Sequence, residues 1–504
     1  MFRELFNYLF VPANETRYVK IFLGIIVLIA TTLRLYVINN PIGYDEAYTF
    51  INFSSKAFKF ILADYHAPNN HILNSLLIGI AYRILGNHIW IVRVPAFIAG
   101  VLGVPVSFIA ARRFFTTQQS LAVSAVLAVV PNLVAESANG RGYPLIILFS
   151  LLLANFAGIL VKEQSRYALT AYAVTGALGF YSIPIFLYPM AGISLWVVAT
   201  YLSGTESWKI KWGNLKKFLV ACTLSGVLTF ILYSPVIFFG TGFDSLIAND
   251  YVISQTWNEF TENLAIRSAA TWNSWIINKN SALFYLGVGA FLFSLFFYRK
   301  VSNQKLPMQI FLVLGAGVMV TIQRVAPLPR IWGYLEVFFL FYATAGFVWL
   351  LQLISNTLID PQNTSKLLSG VILVGVLIAF INVTIKTQSP AARADRTIAP
   401  EQLAANYIAE HITENDTVVA PAPVDLQTAY YLKILGVPYE VFQQRGAPME
   451  KTNALVVLRW RGEGKVKTMD KLLEVFKLKN TLNMDASKVV FEYGPLQIFS
   501  VPTR

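Results

Sequence analysis

The sequence has a single cysteine, Cys222, and only 13% of its residues are charged. One cysteine excludes a disulfide within the chain and a metal site built from several thiolates. Soluble globular domains usually carry about 25% charged residues, so the scarcity of charge argues against a soluble protein. Hydrophobic residues make up 56% of the chain, and the mean hydropathy is +0.55. Together with many long apolar runs, these values predict a polytopic α-helical membrane protein.

The net charge of +13 does not indicate a nucleic-acid partner, because the basic residues lie mostly between apolar runs. That distribution is typical of cytoplasmic loops next to anionic lipid. The segment His71–Leu85 is too short to cross a ~30 Å hydrocarbon core, and we expect it to lie at the interface. Only this placement puts the basic N-terminal arm on the same side as the other basic loops. We therefore predict about eleven crossings with a cytoplasmic N-terminus.

The predicted crossings are residues 19–38, 89–111, 121–134, 144–161, 169–181, 185–202, 218–239, 282–298, 308–322, 331–354 and 367–385. Residues 240–281 form a long polar and aromatic segment with three tryptophans, Trp257, Trp272 and Trp275. Their side chains are suited either to stacking on a sugar or to anchoring at the membrane interface.

From about residue 391 the pattern changes to alternating helices and strands, which predicts a small α/β domain without a glycine-rich phosphate loop. We place the boundary so that residues 1–388 form the transmembrane domain and residues 389–504 the second domain. The predicted helices are 401–411, 426–435 and 465–477, and the predicted strands are 417–420, 439–442, 454–460, 488–493 and 496–501.

Asp45 and Glu46 follow the first apolar run within a few residues. An ionisable pair at this depth is costly unless it has a function or a partner. Glycosyl transfer to a hydroxyl needs a base that removes the acceptor proton, and a carboxylate can do so. The alternative is an acidic pair that stabilises the N-terminus of a short helix through the helix dipole. The residues alone leave both interpretations open.

Four arginines are expected near the outer face, at or close to the ends of spans: Arg93, Arg141, Arg324 and Arg330. The guanidinium fork matches the oxygens of a lipid phosphate. Each arginine taken singly could instead extend its side chain to the lipid headgroups. Their expected position on the same face as the carboxylate pair favours a phosphate site.

The run from Asp64 to His71 contains residue types that bind metals, but two histidines without tight spacing are a weak metal signal. We expect Asn69, Asn70 and His71 to cap the interfacial helix and contact substrate. We expect His88 and His411 to be ordinary surface residues. No metal or cofactor is predicted; a divalent cation is possible but not indicated.

Several short motifs together resemble the GT-C glycosyltransferases, in the branch of protein O-mannosyltransferases and aminoarabinose transferases. They are Tyr44-Asp-Glu-Ala-Tyr48, Pro68-Asn-Asn-His71, the run from Leu85 to Ala96 with Arg93, Ala110-Ala-Arg-Arg-Phe114, Arg141-Gly-Tyr-Pro144 and Pro329-Arg330. The order and spacing of these motifs are more specific than any one of them. The chain departs from the branch at its His-Pro-Pro element, where it has Pro68-Asn-Asn-His71.

The resemblance implies an inverting enzyme that uses a polyprenyl-phosphate-linked monosaccharide on the periplasmic side of the inner membrane. It implies that Asp45 is the catalytic carboxylate with Glu46 beside it, and that Arg141 and Arg330 contact the donor phosphate. Arg93 matches an arginine position of the family, and we expect Arg93 and Arg324 to contact the phosphate as well. Further substrate contacts are expected from Tyr44, Tyr48, Asn69, Asn70, His71 and Tyr143. The C-terminal domain would then be periplasmic or extracellular, and the acceptor would be a glycolipid, polysaccharide or protein.

Two other functions are considered. A flippase for lipid-linked sugars or a small-solute transporter would favour internal repeats and broken helices with polar residues near the midplane. The sequence has no clear repeat, and its charged residues cluster at one interface. A non-catalytic scaffold for envelope assembly would leave the position of Asp45 and Glu46 unexplained.

Overall fold

A computed structural model describes residues 8–10, 15–248, 253–277, 281–356, 368, 370–372, 374–382, 399–461 and 464–504. The helices are α1 Arg17–Val37, α2 Tyr44–Thr49, α3 Phe58–Ala63, α4 Ile72–Leu85, α5 Ile89–Ala111, α6 Thr117–Val129, α7 Pro131–Glu136, α8 Tyr143–Leu160, α9 Arg166–Ser182, α10 Leu187–Leu202, α11 Trp208–Phe239, α12 Trp257–Ile277, α13 Ser281–Phe296, α14 Met308–Gln323, α15 Gly333–Asn356, α16 Pro400–His411, α17 Val424–Ile434 and α18 Met469–Phe476. The strands are β1 Asp416–Val419, β2 Asn453–Arg459, β3 Lys488–Tyr493 and β4 Leu496–Pro502.

Shorter turns complete the description. Asp244–Ile247 and Tyr298–Val301 are one-turn helices, and α2 continues into a π-helical turn at Phe50–Ser54. The 3₁₀ turns are Pro184–Phe186, Pro329–Trp332, Tyr439–Val441 and Met484–Ala486.

The chain forms two compact units, which are described separately. The first, the membrane unit, contains residues up to 38, Lys59–Leu77 and the residues from 93 to 382. The second, the α/β unit, contains Asn39–Phe58, Ile78–Val92 and the residues from 399 onward. The predicted boundary at residues 388 and 389 lies outside the described residues. Two parts of the stretch from residue 39 to residue 92 thus belong to the same unit as the C-terminal sheet.

Each predicted crossing contains helical residues, but the predicted span 121–134 is interrupted at Val130, where α6 ends and α7 begins. For the last one, residues 370–372 and 374–382 are helical. Among the described helices, six are long and apolar enough to cross a membrane, and a seventh span is counted if α12 and α13 form one. The chain is therefore a multi-pass membrane protein, and the number of eleven crossings stays a prediction. The polar segment 240–281 contains α12, which the sequence did not indicate.

Close helix contacts in the membrane unit depend on glycine. On α10, a Cβ added to Gly192 would lie 2.7 Å from Leu312 Cα of α14. On α14, a Cβ added to Gly315 would lie 2.5 Å from Gly192 Cα. Small residues permit such approach in membranes, where helix association relies on close packing.

The α/β unit has a four-stranded sheet in the order β1-β2-β4-β3. β1 and β2 are parallel, whereas β4 pairs antiparallel with both β2 and β3. The predicted closing hairpin is confirmed, with Gly494 at φ 55° in its turn. The predicted strand 439–442 is wrong. Pro438 precedes a 3₁₀ turn there, and only Phe442 forms an isolated bridge to Val418.

Candidate active site

Four predicted residues come together in the membrane unit, and we call them the His71 cluster: His71, Arg141, Tyr143 and Arg330. His71 precedes α4, and Arg141 lies in the turn between α7 and α8. Arg141 Nη2 is 3.3 Å from His71 Nε2. The ring of Tyr143 packs edge-on to His71 with centroids 5.4 Å apart. The guanidinium of Arg330 lies 6.0 Å from the centroid of the Tyr143 ring.

The surroundings of the His71 ring favour its neutral form and one of its two tautomers. The Gly142 N–H donates to His71 Nδ1 at 2.9 Å, which leaves the proton on Nε2. Burial, followed by the positive charges of Arg141 and Arg330, holds the pKa of His71 well below 6.5. The Nε2–H group and the Arg141 guanidinium are therefore neighbouring donors. Such a pair is suited to bind an anionic oxygen.

The turn that carries Arg141 is held by hydrogen bonds from other helices. Asn74 Nδ2 of α4 donates to the Gly140 carbonyl at 2.9 Å. Arg34 of α1 donates from Nε to Ser137 Oγ at 3.1 Å and from Nη1 to the Ala128 carbonyl at 2.9 Å. Pro131 ends α6 and begins α7, and Arg34 satisfies a carbonyl at that break.

The structure gives Arg93 and Arg324 contacts away from the His71 cluster. Arg93 is 2% exposed and donates from Nη1 to the Ile38 carbonyl at the end of α1, at 2.9 Å. Arg324 ends α14 in the left-handed conformation, with φ 50°. Its guanidinium lies 5.8 Å from the Trp257 ring centroid. A phosphate-binding role for these two arginines stays a prediction.

The predicted contacts of Asn69 and Asn70 are mainly local. Asn69 contributes its main-chain carbonyl, which accepts from Arg141 Nη1 at 3.3 Å. Asn70 is buried, and its Nδ2 donates to the carbonyls of Ile61 and Asp64. Asn70 therefore stabilises the segment that follows α3. The His71 carbonyl accepts the Ser75 N–H in the first turn of α4.

The carboxylate pair lies in the α/β unit, at the start of α2. Glu46 is 3% exposed, and its Oε2 accepts the Gly43 N–H at 2.8 Å, so Glu46 caps its own helix. Asp45 is half-buried one residue earlier. Tyr44 and Tyr48 are half-buried beside it, and Tyr48 packs against Phe53 with ring centroids 6.2 Å apart. The position of Glu46 in the first turn of α2 fits the alternative of an acidic residue that stabilises a helix N-terminus, and the hydrogen bond to Gly43 adds to the effect of the helix dipole.

Sequence reasoning missed a cavity in the membrane unit that polar and apolar side chains line together, which we call the Glu336 cavity. Its volume is about 330 Å³, and Asn132, Glu136, Tyr143, Trp275, Arg330 and Glu336 are among its lining residues. Asn132 Nδ2 donates to both carboxylate oxygens of Glu336, at 3.1 and 3.2 Å. Glu336 follows Arg330 by six residues in an apolar run, and a carboxylate there was the available signal.

Within the described part of the chain, no group of three or more His, Cys, Asp or Glu side chains could hold a metal ion. His66 Nδ1 instead contacts Asp64 Oδ1 at 2.6 Å. His88 and His411 are exposed, as expected.

Comparison with known proteins places this site in a family context. Residues 68–239 match the family model of dolichyl-phosphate-mannose-protein mannosyltransferases. No curated protein matches the chain by sequence. The matched region includes His71, Arg141 and Tyr143 but neither Asp45 nor Arg330.

Two solved structures are similar over nearly their whole length. One is ArnT from Cupriavidus metallidurans in the apo state, with 15% identity, 96% of this chain and 97% of that chain covered, and a TM-score of 0.52. The other is the same protein bound to undecaprenyl phosphate, also with 15% identity and a TM-score of 0.52, and with 97% and 98% covered. The chain therefore has the fold of these structures, the GT-C fold predicted from the sequence, and its residues 68–239 resemble the protein mannosyltransferase family.

Proposed function

We propose that this protein is an inverting glycosyltransferase that moves a monosaccharide from a polyprenyl-phosphate donor to an acceptor on the periplasmic side of the inner membrane. The observation that carries the proposal is the convergence of Arg141 and Arg330 on His71 and Tyr143. The GT-C fold and the match to a family of sugar-phosphate-dependent transferases support it. The similar ArnT structure with bound undecaprenyl phosphate supports a lipid-linked donor.

In the proposed reaction, the acceptor hydroxyl oxygen attacks the anomeric carbon from the face opposite the phosphate. The bond between that carbon and the phosphate oxygen breaks, and its electron pair stays on the departing polyprenyl phosphate. The acceptor proton passes to the Asp45 carboxylate, whose neighbour Glu46 is occupied with its cap. Arg141, Arg330 and the Nε2–H of His71 stabilise the negative charge that grows on the phosphate.

An Asp45→Asn variant tests the base. Glycans and glycolipids of the envelope are compared by mass spectrometry between cells that lack the protein and cells that carry wild-type or variant chains. We expect the modified product in wild-type cells, and its formation in purified vesicles to fall at least about 100-fold in the variant. Asp485→Asn, at an exposed aspartate, is the matched control. A wild-type rate in Asp45→Asn would contradict the proposal, and lipid or solute movement without transfer would favour a transporter.

A further inference from the structure

The Glu336 cavity and the His71 cluster share two residues. Tyr143 and Arg330 line the cavity and also belong to the cluster around His71. A ligand whose phosphate lies against Arg141 and Arg330 therefore has its next chemical group at the cavity. In a polyprenyl-phosphate donor, the groups next to the phosphate are the sugar and the lipid chain.

The cavity has apolar lining residues as well, and it is its polar and aromatic residues that favour the sugar over the lipid chain. Glu136, Glu336 and Asn132 present carboxylate and amide groups, which bind hydroxyls. The indole of Trp275 lines the same cavity and is stacked on Phe339, with ring centroids 6.1 Å apart. A flat aromatic face combined with a few placed polar groups is typical of small-molecule sites.

Burial of the Glu336 carboxylate at this cavity costs free energy, which indicates that the side chain has a function. It lies in the first turn of α15 and is 3% exposed, and both of its carboxylate oxygens accept hydrogen bonds from Asn132 of α7. The helix dipole helps to hold its charge, but a carboxylate in an apolar segment is expensive. The hydrogen bonds from Asn132 fix the orientation of the carboxylate relative to the cavity.

We propose that the Glu336 cavity binds the sugar of the donor and that Glu336 and Asn132 contact its hydroxyls. The charged lining residues are Glu136, Glu336 and Arg330, so carboxylates outnumber cations. With Arg330 engaged by the phosphate, the cavity repels a sugar that carries a carboxylate. The substrate class is therefore a monosaccharide without acid groups, not a uronic acid. This inference rests on the proposed function.

Donor binding to the purified full-length protein tests the assignment. The probes are undecaprenyl phosphate, undecaprenyl-phosphate-linked glucose and undecaprenyl-phosphate-linked glucuronate, each measured by thermal shift and by competition. We expect wild-type protein to bind the glucose lipid at least about 10-fold more tightly than the glucuronate lipid. Glu336→Gln keeps the side-chain shape and removes the charge. The Glu336→Gln variant should lower the ratio of the glucose-lipid affinity to the glucuronate-lipid affinity at least about 3-fold. Its affinity for undecaprenyl phosphate should stay unchanged.

Glu410→Gln, at an exposed glutamate of α16, is the matched control. If Glu336→Gln does not fold, Trp275→Leu replaces it, and we expect loss of glucose-lipid affinity with retained undecaprenyl-phosphate affinity. Equal wild-type affinity for the two sugar lipids, or variants that weaken all three probes equally, would overturn the assignment. Failure of the proposed function is distinguished by the comparison of envelopes: cells with and without the protein would then contain the same glycans and glycolipids, whatever the three lipid affinities.

Discussion

At the residue scale, two adjacent carboxylates have different surroundings. Glu46 is buried and accepts the Gly43 N–H, whereas Asp45 is half-buried. A helix turns about 100° per residue, so neighbouring side chains leave it in different directions. The pair therefore does not act as one acidic patch. This difference supports Asp45 as the base, which spacing along the sequence could not distinguish from Glu46.

Substitution of Gly100 by alanine tests the packing behind the turn that carries Arg141. A Cβ at Gly100 would lie 2.1 Å from Ser137 Oγ and 3.1 Å from Arg34 Nε. We expect Gly100→Ala to displace the Arg34–Ser137 hydrogen bond and to destabilise the protein by about 1–3 kcal/mol. The measurement is the thermal unfolding midpoint of purified protein in detergent.

Gly103→Ala is the matched control, because it lies three residues further along α5 and its added Cβ meets no atom within 4 Å. It should leave the unfolding midpoint unchanged within error. Equal midpoints for the two alanine variants would show that Ser137 can move to accommodate a Cβ at Gly100.

At the scale of elements, α17 of the α/β unit holds the segment that leads into α2. Tyr431 accepts the Ile42 N–H on its hydroxyl at 3.2 Å, and Gln427 Nε2 donates to the Ile42 carbonyl at 2.8 Å. Both main-chain groups of Ile42 are thus bound by side chains of one helix. Lys433 Nζ adds a hydrogen bond to Ser55 Oγ, at 3.0 Å, beyond the end of α2. The helix therefore positions the segment that contains Asp45.

Tyr431→Phe should lower the turnover number several-fold while leaving the KM for donor unchanged. The substitution leaves the buried Ile42 N–H without its acceptor, at a cost of about 1–3 kcal/mol, and loosens the position of Asp45. Steady-state kinetics with a lipid-linked donor measure both parameters. Tyr493→Phe is the control, since Tyr493 is 44% exposed in the terminal hairpin. A higher donor KM with unchanged turnover would argue against a positioning role for α17.

Elements with long apolar periodicity could be predicted from the sequence, whereas contacts between distant segments could not. Among the described residues, the predicted spans other than 121–134 each match one helix apart from their end residues, because burial in lipid requires continuous apolar runs. By contrast, α12 mixes polar and apolar residues, and its helix was missed. Asn132 and Glu336 lie 204 residues apart, so hydrophobicity and spacing gave no sign of their pairing. Arg34 likewise looks like an ordinary snorkelling residue until its partner Ser137 is known.

At the scale of the whole molecule, the two units interleave along the chain. The chain leaves the membrane unit after residue 38, returns at Lys59, leaves again after Leu77 and returns at residue 93. The segment between α1 and α4 thus supplies Asp45 to one unit and His71 to the other. A boundary near residue 388 describes the chain order, but the fold assigns the segment with Asp45 to the same unit as the C-terminal sheet.

Cysteine labelling of intact cells tests the predicted orientation of the whole chain. Cys222 is the single native cysteine, so a Cys222→Ser background makes any introduced thiol unique. Thr205 is exposed between α10 and α11, next to a lysine-rich stretch, and Asn415 is exposed before β1. With a cytoplasmic N-terminus and eleven crossings, a membrane-impermeant maleimide should label Asn415→Cys from outside the inner membrane but not Thr205→Cys. Permeabilised cells, in which both thiols should react, are the control.

Labelling of Thr205→Cys in intact cells would indicate the opposite topology, with the lysine-rich loop on the outer face. Protection of both thiols would instead require an even number of crossings, and Asp45 and the C-terminal sheet could not then share one side of the membrane.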